Sequence, residues 1–100
     1  MRKVFFSTRA SNRLEKLLEY LESEWSVRVK RNFIFKLDKS LNQIKKFPES
    51  TQESEIQKGL HRLIVTKHTT LYYRFDSKTI QIITIFDNRM NPEKLRNEFN

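Results

Sequence analysis

Residues 59–95, GLHRLIVTKHTTLYYRFDSKTIQIITIFDNRMNPEKL, decide the fold, because β-branched and aromatic residues fill three short runs separated by turn residues. The runs predict three strands, at residues 60–66, 69–75 and 79–86. The third run is apolar on both faces, so we expect it at the centre of a sheet with helices on at least one side.

The first half of the chain predicts one strand followed by two helices. Residues 4–6 are the strand candidate, Ser7 is a good N-cap, and a helix should span about residues 8–24. Its apolar stripe repeats at three- and four-residue spacing and consists of Leu14, Leu17, Leu18, Leu21 and Trp25. A second periodic segment carries Phe33, Ile34, Leu37, Leu41 and Ile44. It should end at Phe47-Pro48, because proline disfavours helix at the residue before it. The short link predicts an antiparallel helical hairpin.

The chain should close with a short third helix. Asn91 is a suitable cap and Pro92 a suitable first helical residue, and the segment leads to Leu95 and Phe99. The predicted order of elements is therefore β-α-α-β-β-β-α. This order indicates one α+β domain over residues 1–100, with helices layered on a mostly antiparallel sheet.

Composition excludes several kinds of chemistry. The chain of 100 residues contains no Cys, one Gly and two His. Thiol catalysis, Cys-ligated zinc, Gly-rich phosphate loops and esterase elbows are therefore excluded, and we expect neither a metal nor a cofactor. The longest apolar run, residues 82–86, is too short for a membrane helix, and the first residues lack the apolar core of a signal peptide. We expect a cytoplasmic protein with no membrane partner.

The basic charge is concentrated in the second predicted helix. The formal net charge of the chain is +8, and residues 25–46 carry seven basic groups and one acidic group. Helical winding places Phe35 on or beside a single basic face formed by Arg28, Lys36, Lys39 and Lys46. Such a face favours nucleic acid, the ribosome or an acidic protein, but it is equally typical of a solvated helix.

The predicted sheet carries the residue types of a metal-independent ribonuclease. Such an enzyme needs a base, cations for the phosphate and an acid, which Arg, Lys, His and Tyr can supply. Strand alternation points Leu71, Tyr73 and Phe75 at the helices and leaves Tyr72 and Arg74 on an opposite, groove-like face. A cross-strand Arg–Tyr pair that stabilises an exposed sheet is an equally good interpretation. Arg89 either binds a partner or holds the turn before the last helix.

Several local patterns, taken in order, resemble a known family. They are a strand leading into a Ser-capped helix, Lys46-Phe47-Pro48 after a basic helix, Gly59-Leu60-His61-Arg62, Leu71-Tyr72-Tyr73-Arg74-Phe75-Asp76, and Arg89 followed by Asn91-Pro92-Glu93-Lys94-Leu95. Over about 90 residues this order resembles the RelE/ParE superfamily of toxins from bacterial type II toxin-antitoxin modules, in its ParE-like, plasmid-stabilisation branch. The resemblance implies a small toxin neutralised by a cognate antitoxin, which would cover the exposed Phe35.

The resemblance implies two different activities. RelE-like members resemble ribosome-dependent mRNA endonucleases that carry an Arg early in the strand, where this chain has Thr70. ParE-like members lack that catalytic set and are implicated in poisoning DNA gyrase, so Thr70 favours a toxin that acts by binding and not by catalysis. If the chain is instead a nuclease, the candidate catalytic residues are Lys58, His61, Arg62, Tyr72 and Arg89, and Arg74 or His68 could substitute for the missing Arg.

A third interpretation is a basic module that binds RNA or a protein partner. Under the toxin hypothesis, the residues expected to contact a target or nucleic acid are Arg28, Lys36, Lys39, Lys46, Arg74 and Arg89. The sequence carries no signal for an oligomeric state.

Overall fold

The computed structural model describes residues 1–99 and has the predicted order of elements. In chain order they are β1 (Lys3–Phe6), α1 (Thr8–Glu24), α2 (Val27–Lys46), a short 3-10 turn (Pro48–Ser50), β2 (His61–Thr66), β3 (Thr69–Phe75), β4 (Thr79–Asp87) and α3 (Pro92–Asn97). The predicted α+β class is confirmed. Among the described residues, no helix combines the length and the apolar character needed to cross a membrane.

The helical hairpin is fixed at its two helix starts by serine caps. The Ser7 hydroxyl accepts a hydrogen bond from the Ala10 backbone N–H, and the Ser26 hydroxyl accepts one from Val29. Each cap satisfies a backbone donor that the first helical turn leaves free. Trp25 was expected in the apolar stripe of α1, but the structure places it outside this stripe. It follows the last residue of the helix, where the chain turns, and is 67% exposed.

The sheet has the strand order β1-β4-β3-β2, so β4 lies centrally as predicted. β1 runs parallel to β4, while β4, β3 and β2 are antiparallel neighbours. The pairing of β1 ends at Phe6 and Ile82, and the Ser7 hydroxyl then donates to the Ile83 carbonyl at 2.6 Å. The second half of β4 therefore has a strand neighbour on one side only.

A bulge in β4 changes which way its side chains point. Tyr73 is opposite Ile82 and Tyr72 is opposite Thr84, which leaves Ile83 as an additional residue on β4. A bulge of this kind shifts the alternation by one position. As a result, Ile82 and Ile85 both belong to the core beneath the helices although they are three residues apart.

Each face of the sheet is covered by its own apolar cluster. The cluster beneath α1 and α2 includes Phe33, Leu37, Leu71 and Tyr73, with Phe75 packed against it, as the alternation of β3 predicts. The opposite face was expected to be an open groove around Tyr72 and Arg74. Instead, Tyr72 is 6% exposed and packs with Leu60, Phe86 and Leu95, because α3 folds back across this face.

Candidate functional site

A small cavity beside α3 contains two of the candidate catalytic residues. Arg62 and Tyr72 are direct partners across β2 and β3, and Arg96 of α3 lines the same cavity, which has a volume of about 300 Å³. Arg62 Nη2 donates to the Gln52 side-chain oxygen at 3.0 Å. Glu53 and Glu55 also line the cavity, so its cations are partly balanced by acidic side chains.

The environment of Tyr72 keeps its hydroxyl protonated. Burial raises the pKa of the Tyr72 phenol above its ordinary value, and the charge of Arg62 offsets only part of this rise. The Phe99 ring lies 6.4 Å from the Tyr72 ring and helps to bury it. At neutral pH Tyr72 can therefore donate a hydrogen bond or a proton, but it cannot act as a base.

His61 lies on the other face of the sheet from Arg62 and Tyr72. Its ring packs 5.6 Å from the Tyr73 ring and 5.1 Å from the Phe75 ring, both on the side of the helices. Its Nδ1 lies 3.4 Å from the Thr51 carbonyl oxygen. The structure therefore does not bring His61 into the Tyr72 cavity.

Arg74 holds a loop in place. Its guanidinium donates to the Lys58 carbonyl at 3.0 Å and to the Gln57 side-chain oxygen. Gly59, the only glycine of the chain, has a φ of +80°, and a Cβ atom there would lie 3.1 Å from Arg74 Nη1. These contacts fix the turn that leads into β2, and only glycine adopts that backbone conformation at little cost.

Arg89 lies in a second groove, at the far end of β4. It forms a two-pronged ion pair with Asp87, with Nε at 3.0 Å from Oδ1 and Nη2 at 2.8 Å from Oδ2. The hydrogen bonds from Arg89 hold the pKa of Asp87 below its ordinary value, against a smaller opposing effect of burial. The Arg89 side chain is 59% exposed. The groove, with a volume of about 410 Å³, runs between α1 and α3 and is also lined by Leu17, Met90 and Lys94.

Thr70 has a structural role beside this groove. The residue is 3% exposed, and its hydroxyl donates to Asn88 Oδ1 at 2.9 Å. The Asn88 amide in turn donates to the Lys67 carbonyl. Thr70 therefore ties β3 to the turn that carries Arg89.

The basic face of α2, formed by Arg28, Lys36, Lys39 and Lys46, is exposed along the helix. Phe35 lies among these cations and is 70% exposed. An exposed phenyl ring on a helix of a folded domain is typical of a contact site for a partner.

Sequence reasoning missed a network that joins the two ends of the chain. Arg13 Nη1 donates to Glu98 Oε1 and to the Thr84 hydroxyl oxygen, each at 2.7 Å. Arg13 and Glu98 are separated by 85 residues. No local pattern marks such a pair, because its members meet only after the sheet and α3 are in place.

The fold and its surfaces define a small basic α+β protein with grooves on both sides of α3 and an exposed phenyl ring on its basic helix. The family described as ParE toxin of type II toxin-antitoxin system, parDE, matches residues 4–92, and the chain belongs to this family. The protein is therefore the toxin component of a type II toxin-antitoxin module, as the sequence resemblance implied. Among proteins with curated descriptions, none matches the chain.

Three solved structures illustrate the shared fold. A chain of the chromosomal ParDE toxin-antitoxin system of P. aeruginosa has a TM-score of 0.70 and 14% identity, covering 87% of this chain and 96% of that one. The YoeB dimer of Staphylococcus aureus gives a TM-score of 0.62 and 14% identity, with 85% and 94% covered. The E. coli DinJ-YafQ complex gives 0.59 and 16%, with 89% and 96% covered.

Proposed function

We propose that this toxin inhibits its target by binding, that the target is DNA gyrase in the cytoplasm, and that Arg89 lies at the contact. The observation that carries the proposal is the separation of the candidate catalytic residues. His61 faces the helices, Arg62 and Tyr72 lie beneath α3, and Arg89 is paired with Asp87 at the end of β4. Of these four residues, only Arg62 and Tyr72 line the same cavity, so the full candidate set does not act together on one phosphate.

Thr70 gives further support. It occupies the position where the resemblance to RelE-like nucleases implies an Arg, and it is buried with its hydroxyl bonded to Asn88. A buried threonine cannot provide a cation to an exposed phosphate. Arg89, in contrast, is exposed beside Met90 in a groove, a combination of charge and apolar surface that suits protein recognition.

Arg89→Ala tests the contact with gyrase. We expect the concentration of toxin that gives half-maximal inhibition of DNA supercoiling by purified gyrase to rise at least tenfold. The stability of the toxin should be nearly unchanged, because an exposed ion pair contributes little. Arg96→Ala is the matched control, since Arg96 is also exposed and also pairs with an acidic neighbour, Glu93, outside the Arg89 groove.

Two results would contradict the proposal. One is wild-type toxin that leaves gyrase fully active at any ratio of toxin to enzyme. The other is an equal loss of inhibition in the Arg89 and Arg96 variants.

The second candidate function is cleavage of ribosome-bound mRNA. The observation in its favour is the cavity in which Arg62 and Arg96 flank the protonated hydroxyl of Tyr72, since two cations and an acid could engage one phosphate. Translating ribosomes incubated with toxin distinguish the two functions. The nuclease would be established, and the first proposal refuted, if wild-type toxin cut the mRNA, the Tyr72→Phe variant left it intact, and gyrase were unaffected.

We also propose that a cognate antitoxin binds the hairpin of α1 and α2 and covers Phe35. Solved relatives of this fold include the ParDE system and the DinJ-YafQ toxin-antitoxin complex. Phe35 is the most exposed phenylalanine of the chain, and cations surround it, which suits an acidic segment with an apolar anchor.

Phe35→Ser tests the antitoxin site. It should weaken the complex with the antitoxin encoded next to the toxin gene at least tenfold, measured by calorimetry, and leave thermal stability unchanged. Phe47→Ser is the control, because Phe47 is 58% exposed but lies beyond the end of α2. Tight binding by the Phe35 variant, or the absence of any such neighbouring gene, would contradict this site.

A further inference from the structure

A broad groove opens at the outer edge of the sheet, where the start of β1 meets the end of α2 and the turn between β3 and β4. Its volume is about 770 Å³. We call it the β1 groove, and its lining includes Lys3, Phe5, Lys45, Lys46, Phe47 and Lys78. It is separate from the Arg89 groove and from the Tyr72 cavity, with which it shares no lining residue.

The β1 groove is lined by positive charge with no acidic residue among its lining side chains. Five of its ten lining residues are Lys or Arg, and none is Asp or Glu. The ion pairs within residues 1–99 involve Arg9, Arg13, Lys30, Arg89 and Arg96, so no lysine of the groove takes part in one. Like charges gathered in one concavity repel each other, and a polyanion relieves that repulsion and releases its own counterions.

Two neighbouring contacts show which charges are available. The Arg2 guanidinium is already engaged within the protein, because its Nε donates to the Asp76 carbonyl at 2.7 Å and the group lies over the Phe75 ring. The Asp76 carboxylate accepts hydrogen bonds from the backbone N–H groups of Lys78 and Thr79 at 2.8 and 2.7 Å. Asp76 therefore closes the turn, and the lysine ammonium groups remain the open charges of the groove.

The groove also exposes two phenyl rings. Alternation in β1 turns Val4 and Phe6 toward the helices and leaves Phe5 on the outside, 53% exposed. Phe47 directly follows α2 and is 58% exposed. Flat aromatic rings between flexible cations are the two components with which proteins hold unpaired bases and their phosphates.

We propose that the β1 groove binds single-stranded nucleic acid, with phosphates on Lys3, Lys45, Lys46 and Lys78 and bases stacked on Phe5 and Phe47. Lysines on long flexible stems act as point charges that follow a backbone, and they do not select a fixed carboxylate geometry as arginine does. A duplex fits less well, because its bases are already stacked on each other and cannot lie on the rings. The inference does not depend on the target proposed above.

The test is fluorescence anisotropy of labelled oligo(dT) and oligo(U), each 12 nucleotides long, titrated with the purified full chain. Wild type should bind with affinity that falls as salt rises, with a slope of log K against log salt of about −2 to −3, as three or four neutralised phosphates predict. Lys45→Glu with Lys78→Glu should weaken binding at least tenfold and flatten the slope. Phe5→Ser with Phe47→Ser should weaken binding about tenfold and keep the slope, because stacking carries no net charge.

A matched control separates the groove from general charge. Lys36→Glu with Lys39→Glu changes the net charge by the same amount on the basic face of α2 and should weaken binding less than about threefold. Circular dichroism melting confirms that each variant is folded. Equal losses in the two charge-reversal pairs would overturn the proposal. So would a duplex binding as tightly as the single strand, or poly-glutamate of equal charge competing as well as unlabelled oligo(dT).

Discussion

Tyr72 and Tyr73 are neighbours in the chain but have different roles, because β3 points them to opposite faces of the sheet. The Tyr73 hydroxyl donates to the Pro48 carbonyl at 2.6 Å and lies 2.6 Å from the Thr51 hydroxyl. It therefore anchors the segment that follows α2 to the centre of the sheet. Within residues 1–99, the Tyr72 hydroxyl makes no hydrogen bond to another residue. Burial raises the pKa of both phenols.

Removing the hydroxyl oxygen from each tyrosine in turn should lower the free energy of unfolding by unequal amounts. Tyr73→Phe leaves the Pro48 carbonyl without its buried donor, so we expect the free energy of unfolding to fall by about 1–3 kcal/mol. Tyr72→Phe keeps its ring among Leu60, Phe86 and Leu95 and should cost less than about 0.5 kcal/mol. Urea denaturation of the two variants measures both values. Equal losses would show that Tyr73 contributes only its ring.

At the scale of elements, the two serine caps differ in what they connect. Ser26 caps α2 with one hydrogen bond from Val29 at 3.1 Å. Ser7 caps α1 and also donates to the Ile83 carbonyl of β4, so a single hydroxyl joins the first helix to the central strand. The Ser7 hydroxyl therefore satisfies the Ile83 carbonyl at the point where β1 ends and β4 has no strand neighbour on that side.

Alanine at each cap should separate these contributions. Ser26→Ala should lower the free energy of unfolding by about 1 kcal/mol, the usual value of an N-cap. Ser7→Ala should cost about 1 kcal/mol more, because the Ile83 carbonyl also loses its donor. Thermal and urea denaturation compare the two. A Ser7 variant no less stable than the Ser26 variant would show that water replaces the hydroxyl at Ile83.

The elements themselves could be predicted because their signals are local. Ser7, Asn91 and Pro92 mark helix starts within one turn, and the alternation of β3 assigned Leu71 and Tyr73 to the core correctly. The burial of Tyr72 could not be predicted in this way. It depends on where α3 folds after the chain has turned at residues 88–91, and no periodicity within β3 contains that information. The same holds for the candidate site, since alternation separates the faces of one strand but does not show which distant segment covers them.

At the scale of the whole molecule, the Arg13 network joins the first and last helices across the unpaired half of β4. The Glu98 side chain is 10% exposed and the Arg13 side chain is 40% exposed. The Thr84 hydroxyl, which is fully buried, also donates to Glu98 Oε1 at 2.9 Å. Arg9 Nη1 adds a third, longer hydrogen bond to the same oxygen at 3.5 Å. A mostly buried carboxylate that accepts from three partners should be costly to leave unpaired.

A double-mutant cycle measures this connection. Arg13→Ala should lower the free energy of unfolding by about 1–2 kcal/mol, a value reduced from that of a fully buried pair because Arg13 is partly in water. Glu98→Gln should cost less, since the amide oxygen still accepts from Thr84. The coupling energy between the two sites should be about 0.5–1.5 kcal/mol. A coupling energy of zero would mean that the Arg13–Glu98 pair contributes nothing to the stability of the fold.

The parallel pairing of β1 with β4 also has a kinetic consequence. Ser7 and Ile83, which are bonded at the end of this pairing, are 76 residues apart, so the first strand is synthesised long before its partner exists. Contacts of such long range slow folding, because a large loop must close before they form. During synthesis on the ribosome, α1 and α2 emerge first, and their apolar stripes stay exposed until β4 has been made and the sheet can cover them. The newly made toxin therefore passes through an interval in which it is incomplete, and an antitoxin that recognises the helical hairpin could engage it before its harmful form is assembled.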